Sequence, residues 1–156
     1  MKYCITVDYG TINKHTDIWQ STNATISRED AYSLLTETTA TGYCMLNSSN
    51  KIAPSKTVEL DLCQVDGGNT YAPLYIRNDG GGVSLGSITY YTLNATVGEW
   101  IHLKIVFSDS NTATVYSSTL NEPLALTLSN TSTNYRIMFN ATGTITKIQF
   151  KNVAIY

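Results

Sequence analysis

Charged side chains are scarce in this sequence. Aspartate, glutamate, lysine and arginine make up only 14% of its 156 residues, and the formal net charge is −2. The basic residues form no cluster of the kind that binds nucleic-acid phosphates. No apolar run is long enough to cross a membrane, and residues 1–10 lack the apolar core of a signal peptide. We therefore expect no nucleic-acid partner and no insertion into a membrane.

Cysteine is also rare. The three cysteines, Cys4, Cys44 and Cys63, allow at most one internal disulfide, and three pairings are open. All three lie in strand-like runs, where a free cysteine behaves as a small buried hydrophobe. Their spacing matches no zinc motif. We predict free thiols.

Uncharged polar side chains and tyrosine take the place of charge. Serine, threonine and asparagine make up about a third of the chain, and 11 residues are tyrosine. This composition suits an extracellular surface that hydrogen-bonds neutral ligands, although threonine and tyrosine are also simply common in β-strands. The length is that of one domain, so we predict a single domain over residues 1–156.

The clearest structural signal runs from Gly98 to Ser117. Its first half alternates apolar and polar residues, which is typical of a strand with one buried face. Residues 108–111 are short polar residues of the kind that form turns, and a β-branched and aromatic run follows at 112–117. We predict a β-hairpin here.

The same two-residue period recurs along the chain. It is clear at 58–64, 72–77, 124–128 and 135–139, and turns rich in glycine separate several of these runs. In the last run the period changes phase at Lys151 and Asn152, which indicates a β-bulge. Ten to thirteen short strands with no clear helix predict an all-β protein, either a β-sandwich or a barrel.

Three stretches carry a resemblance to a known superfamily: G-E-W-I-H-L-K-I-V-F at 98–107, T-A-T-V-Y at 112–116 and I-Q-F-K-N-V-A-I-Y at 148–156. The chain resembles the concanavalin A-like lectin/glucanase superfamily, and within it the laminin-G-like jelly rolls of carbohydrate-binding modules and surface adhesins. Residues 17–27 resemble the first strand region of those domains. One departure is Ser-Ser-Thr-Leu at 117–120, where many members have Asp-Gly. The resemblance favours the sandwich. It implies a two-sheet antiparallel β-sandwich, a jelly roll whose concave sheet face is the binding cleft.

A candidate binding face follows if the strands starting near 58, 72, 83, 100 and 112 are neighbours in one sheet, as sequential hairpins usually are. Alternation then places one set of side chains together on the outer face. The set is Glu59, Asp61, Tyr75, Arg77, Trp100, His102, Lys104 and either Tyr116 or Thr114.

Rings that stack on sugars, beside polar groups that bond hydroxyls, predict that this face binds a glycan. The alternative is an ordinary solvated face with Glu59–Arg77 or Asp61–Lys104 cross-strand pairs. No nucleophile motif lies near His102, so we interpret it as a structural residue. No role is predicted for His15.

Catalysis is not expected. Related glucanases carry Glu-x-Asp-x-Glu on one strand, or a form one residue longer, with the last glutamate as acid/base. Here Glu59 and Asp61 are followed by Cys63 and Gln64 at the two positions for that glutamate. We predict that the protein is not an enzyme.

Calcium is common in the jelly rolls that the chain resembles. Four residues with oxygen ligands lie in two glycine turns that could meet at one end of the sheet: Asp66, Asn69, Asn78 and Asp79. A structural Ca²⁺ site is one interpretation. The other is that these are turns alone, because Asp, Asn and Gly are the usual turn residues.

Together these features predict a non-catalytic surface-binding module of an adhesin or carbohydrate-active protein. Its partner would be a glycan or a host or cell-surface receptor, and it would act outside the cell as part of a larger protein. The alternative is a structural, decoration or receptor-binding component of a virus or phage particle, packed against other chains of a larger assembly.

Overall fold

The computed structural model describes residues 18–29, 31–38, 41–46, 50–108, 111–129 and 132–156. Its regular elements are twelve strands, which confirms the all-β prediction. The strands are β1 (Trp19–Thr22), β2 (Ala24–Arg28), β3 (Ser33–Glu37), β4 (Gly42–Leu46), β5 (Thr57–Gln64), β6 (Leu74–Asn78), β7 (Ser84–Ile88), β8 (Trp100–Phe107), β9 (Thr112–Ser117), β10 (Leu124–Thr127), β11 (Tyr135–Ala141) and β12 (Lys147–Ile155).

The strands form two antiparallel sheets. The first has five strands in the order β1-β4-β11-β6-β7, and the second has seven in the order β10-β9-β8-β5-β12-β3-β2. The predicted hairpin is the β8–β9 pair, in register from Leu103 opposite Ser117 to Phe107 opposite Ala113. The predicted two-sheet sandwich is therefore confirmed.

The core lies between the sheets and follows the two-residue period. On β8, and on β5 as far as Leu62, alternate side chains are almost fully buried, while the side chains between them reach solvent. Aromatic rings join the sheets: Phe139 of the five-stranded sheet stacks on Phe150 of the seven-stranded sheet at 4.1 Å, and Trp19 lies against both rings. Burial of these large rings is a main source of the stability of the sandwich.

The predicted β-bulge is present in β12. The pairing of β12 with β5 shifts register between Lys151 and Ala154, and Asn152 has a φ of 53°. Val153 stays fully buried, so the extra residue leaves Lys151 and Asn152 on the outer side of the sheet. The bulge thus supplies an additional polar side chain to that surface.

A buried tyrosine fixes the end of β5 against the start of β8. The Tyr90 hydroxyl accepts a hydrogen bond from the Gln64 N–H at 2.9 Å and lies 2.9 Å from the Glu99 carbonyl oxygen. Burial raises the pKa of this hydroxyl, so it remains a neutral donor and acceptor. This contact sets the positions of the two strands that carry most of the candidate site.

Cys44 and Cys63 are both free and buried, as predicted, whereas Cys4 lies outside the described residues. None of the described part of the chain forms a helix with the length and hydrophobicity needed to cross a bilayer.

Candidate functional site

The outer face of the seven-stranded sheet brings together six of the eight predicted binding residues. They occupy adjacent strands in register: β5 pairs with β8, and β8 pairs with β9. The six are Glu59, Asp61, Trp100, His102, Lys104 and Tyr116. We call this surface the outer face. Thr114 also points outward, because Ala113 and Val115 between the polar positions of β9 are buried.

The other two predicted residues lie elsewhere. Tyr75 and Arg77 are on β6, which pairs with β11 and β7 in the five-stranded sheet. The expectation that sequential strands share one sheet is wrong here, because the chain crosses to the other sheet after β5. A Glu59–Arg77 pair is therefore not possible, and the Arg77 guanidinium instead donates to the Gly81 carbonyl.

His102 lies between the two carboxylates of β5. Its Nδ1 is 2.7 Å from Asp61 Oδ1, and its Nε2 is 2.9 Å from Glu59 Oε1. Ionised carboxylates only accept hydrogen bonds, so satisfying both contacts requires both ring nitrogens to carry protons. The hydrogen bond to Asp61, helped by the one to Glu59, raises the pKa of His102 despite partial desolvation. When protonated, His102 bridges the two carboxylates of β5.

Asn152 of β12 and Tyr156, which directly follows β12, complete the arrangement. The sequence analysis did not predict either residue. Asn152 Nδ2 donates to Asp61 Oδ2 at 2.7 Å, and the Tyr156 hydroxyl donates to Glu59 Oε2 at 2.5 Å. The Tyr156 hydrogen bond, followed by that of His102, lowers the pKa of Glu59. All four carboxylate oxygens therefore have a protein donor. We call Glu59, Asp61, His102, Asn152 and Tyr156 together the carboxylate clamp.

Aromatic rings lie on either side of the carboxylate clamp. Trp100 is 38% exposed, and Tyr116 is 46% exposed. The Tyr32 ring packs against Trp100 at a centroid distance of 5.8 Å. Tyr116 of β9 lies opposite Lys104 of β8. Trp100 and Lys104 are four residues apart on β8, so the Trp100 and Tyr116 sites are separated by roughly 13 Å along the strand direction. This is longer than one sugar ring.

Each of these rings also has a lysine beside it. Lys151 Nζ lies 4.4 Å from the centroid of the Trp100 ring, and Lys104 Nζ lies 6.0 Å from that of Tyr116. Such cation–π contacts are worth about 0.5–1 kcal/mol at exposed sites. Tyr32 and Lys151 were not predicted, because only the β12–β5 pairing and the β2–β3 turn place them beside Trp100.

A shallow cavity of about 70 Å³ adjoins the Tyr116 end of the outer face. The loop between β9 and β10 forms its wall, with Leu120, Asn121 and Pro123 among the lining residues.

The proposed calcium ligands do not come together. Asp66 and Asn69 precede β6, whereas Asn78 is its last residue and Asp79 follows it. The two pairs therefore lie at opposite ends of this strand. Asp66 accepts hydrogen bonds from the Thr146 and Lys147 backbone. The two turns do not meet at one end of the sheet, since β6 separates them.

Those turn residues have structural partners instead. Asn78 Oδ1 accepts from the Val83 N–H, and Asp79 pairs with Lys51 at 2.5 Å. No group of three or more His, Cys, Asp or Glu side chains suited to a metal occurs in the described part of the chain.

Cys63 and Gln64 occupy the two positions at which related glucanases have the acid/base glutamate, and neither can act as that acid. Cys63 lies opposite Trp100 in register but is only 3% exposed, and burial raises the pKa of its thiol. Gln64 is fully buried, and its amide nitrogen donates to the Asp66 and Gly68 carbonyls. Neither residue places a titratable acid on the outer face.

Comparisons with known proteins bear on the fold. No protein-family profile matches the sequence, and no curated protein matches it. Among solved structures, a Bacillus subtilis protein of unknown function with a galectin-like fold superposes with a TM-score of 0.62 at 10% identity, covering 99% of this chain and 97% of that one. The chain has a concanavalin A-like jelly-roll fold.

Two further solved structures share this concanavalin A-like fold. The exoplasmic/lumenal domain of VIP36, in its Ca²⁺- and Man3GlcNAc-bound form, gives a TM-score of 0.57 at 10% identity, with 95% of this chain and 88% of that one covered. A GH16 protein of Bacteroides ovatus, in complex with a G4G4G3G product, gives 0.51 at 10% identity, with 97% and 98% covered. At this identity the matches show the fold alone.

Proposed function

We propose that this concanavalin A-like domain binds carbohydrate on its outer face without cleaving it. The observation that carries the proposal is the pair of exposed rings, Trp100 and Tyr116, on either side of the hydrogen-bonded clamp. Aromatic rings offer flat apolar surfaces to the apolar faces of sugars. Carboxylates held between them offer acceptor sites to sugar hydroxyls.

The clamp is ordered before any ligand arrives. Each oxygen of Glu59 and Asp61 already has one protein donor, and each has a second acceptor site to offer. Holding these side chains in place beforehand reduces the entropy lost on binding. A pre-ordered polar centre between exposed rings is what recognition of sugar hydroxyl groups requires.

The chemistry of the clamp supports binding without catalysis. A retaining glycosidase needs a second carboxyl group that is protonated near neutral pH and can act as the acid. The hydrogen bonds from Tyr156 and His102 lower the pKa of Glu59, which makes it a poor proton donor. Cys63 and Gln64 stand where related glucanases have their acid/base glutamate.

The solved structures of similar fold support the same proposal. The VIP36 domain was solved with Man3GlcNAc and the GH16 protein with a glucan product, so this fold accommodates sugars in other proteins. We include in the proposal a setting outside the cell, as a module of an adhesin or carbohydrate-active protein. The composition, rich in uncharged polar residues, supports that setting.

A glycan array tests the proposal. The protein is compared with the double variant Trp100→Ala/Tyr116→Ala and with the control Tyr91→Ala. Tyr91 is 69% exposed but lies in the loop between β7 and β8. At roughly 1 kcal/mol per ring, loss of both rings weakens binding about thirtyfold, while the control binds as the parent does.

Two results would count against the proposal. Glycan binding that is unchanged in the double variant would remove the outer face as the binding surface. Release of reducing ends from β-glucans incubated with the pure protein would show that the face is catalytic.

A further inference from the structure

The outer face differs in charge from the protein as a whole. The chain has a formal net charge of −2 with neutral histidines. The charged side chains at outward positions of the β5, β8 and β12 strands are two acids and four bases when His102 is protonated. They are Glu59, Asp61, His102, Lys104, Lys147 and Lys151. These three strands thus carry an excess of positive charge, part of which is offset by Asp66 near Lys147 and by Glu122 in the cavity at Tyr116. A positive excess on an acidic protein indicates an anionic ligand.

The two acids are already neutralised in part. His102 bridges Glu59 and Asp61, and when it is protonated its positive charge lies between them. Lys104 faces Glu59 in register. Among the described residues, however, neither Lys104 nor Lys151 forms an ion pair with a carboxylate. Two ammonium groups therefore remain to interact with a ligand.

Each ammonium group lies close to one of the exposed rings. Lys151 lies over Trp100, and Lys104 lies near Tyr116, at the two ends of the clamp. An acidic sugar has an apolar ring face and an anionic substituent on one molecule. It can thus contact a ring and the adjacent lysine together, and both ends of the face repeat that combination.

We infer that the ligand is an acidic oligosaccharide, with carboxylate or sulfate groups on sugars that reach Lys151 and Lys104 at the two ends of the outer face. The inference rests on the proposed carbohydrate-binding function and adds the ligand's charge and length. The separation of roughly 13 Å between the two ends requires more than one sugar.

The test uses an array of neutral, carboxylated and sulfated oligosaccharides of several lengths. Binding is measured at low ionic strength and at about 1 M NaCl, where the screening length falls to about 3 Å. The parent is compared with Lys104→Gln and Lys151→Gln. The control is Lys56→Gln, which removes the same charge from the exposed turn before β5.

We expect acidic oligosaccharides to bind more tightly than neutral ones and to lose affinity in high salt. Each outer-face lysine variant should weaken that binding about fivefold, and Lys56→Gln should leave it unchanged. The carboxylated and sulfated members show which anionic group is preferred, and preference for either supports the inference.

The failures of the two proposals can be told apart. Tighter binding to neutral sugars, insensitive to salt and to both lysine variants, would overturn the inference and leave the proposed function in place. Binding to no sugar of any class would overturn both. Acidic binding that is equally weakened by Lys56→Gln would show a general charge effect and would also overturn the inference.

Discussion

Replacing His102 by glutamine tests the clamp at its centre. The change removes the positive charge between Glu59 and Asp61 but keeps a polar side chain. The His102 side chain is 51% exposed, and the two carboxylate side chains are 32% and 22% exposed, so solvent screens both contacts. Exposed ion pairs are worth about 0.2–1 kcal/mol each. We expect a total loss of about 1 kcal/mol in the free energy of unfolding.

The loss should depend on pH. The pKa of His102 is raised above its unfolded value of about 6.5. Its stabilising contribution is therefore fully present below about pH 6.5 and disappears as pH rises through the raised pKa of the folded state. The pKa of Glu59 is lowered. Its contribution is present above the unfolded value of about 4.3 and disappears as pH falls through the folded pKa.

The difference in stability between the parent and His102→Gln should consequently be largest at about pH 5.5 and smallest at about pH 9. Urea denaturation at several pH values measures this difference, and NMR titration of the imidazole gives the pKa directly. A difference that stays constant across this range, or a His102 pKa at or below about 6.5, would refute the charged bridge.

Two other predictions concern the framework that positions the face. Tyr90→Phe leaves the Gln64 N–H without its acceptor, and urea denaturation should show a loss of about 1–3 kcal/mol. No loss would mean that the hydroxyl is dispensable. Gly67→Ala puts a Cβ 2.6 Å from the Ile145 nitrogen at a φ of 84°. It should cost about 1–3 kcal/mol. The matched Gly82→Ala, with open space around it, should stay within about 0.5 kcal/mol, and equal losses in the two variants would contradict the steric account.

The strands and their buried faces could be predicted because alternation is a local property. On β5, Val58, Leu60 and Leu62 are fully buried, as the two-residue period requires. The bulge at Lys151 and Asn152 was visible for the same reason, since it interrupts that period. Neither prediction needs to know which strands are neighbours.

The composition of the site could not be predicted in full, because it depends on pairing between distant strands. Tyr75 and Arg77 share the outward phase of Glu59 and Asp61 but belong to the other sheet. The two-residue period shows that both side chains face outward. It does not show which sheet their strand joins, because the packing of the whole sandwich decides that.

The missed partners are distant for the same reason. Asn152 and Tyr156 are 91 and 97 residues from Asp61 and Glu59 along the chain. Only the pairing of β12 with β5 brings them together. The phase change at the bulge was the one signal in the sequence that pointed to Asn152 as an outward residue.

Titration of the protein with the tightest-binding oligosaccharide from the array, followed by amide NMR, tests the location of the binding surface most directly. We predict that the largest shifts fall on Asp61, Trp100 and His102 and on their neighbours in β5, β8 and β12. Shifts centred on Tyr75 and Arg77, on the outside of the five-stranded sheet, would contradict the assignment of the outer face as the binding surface.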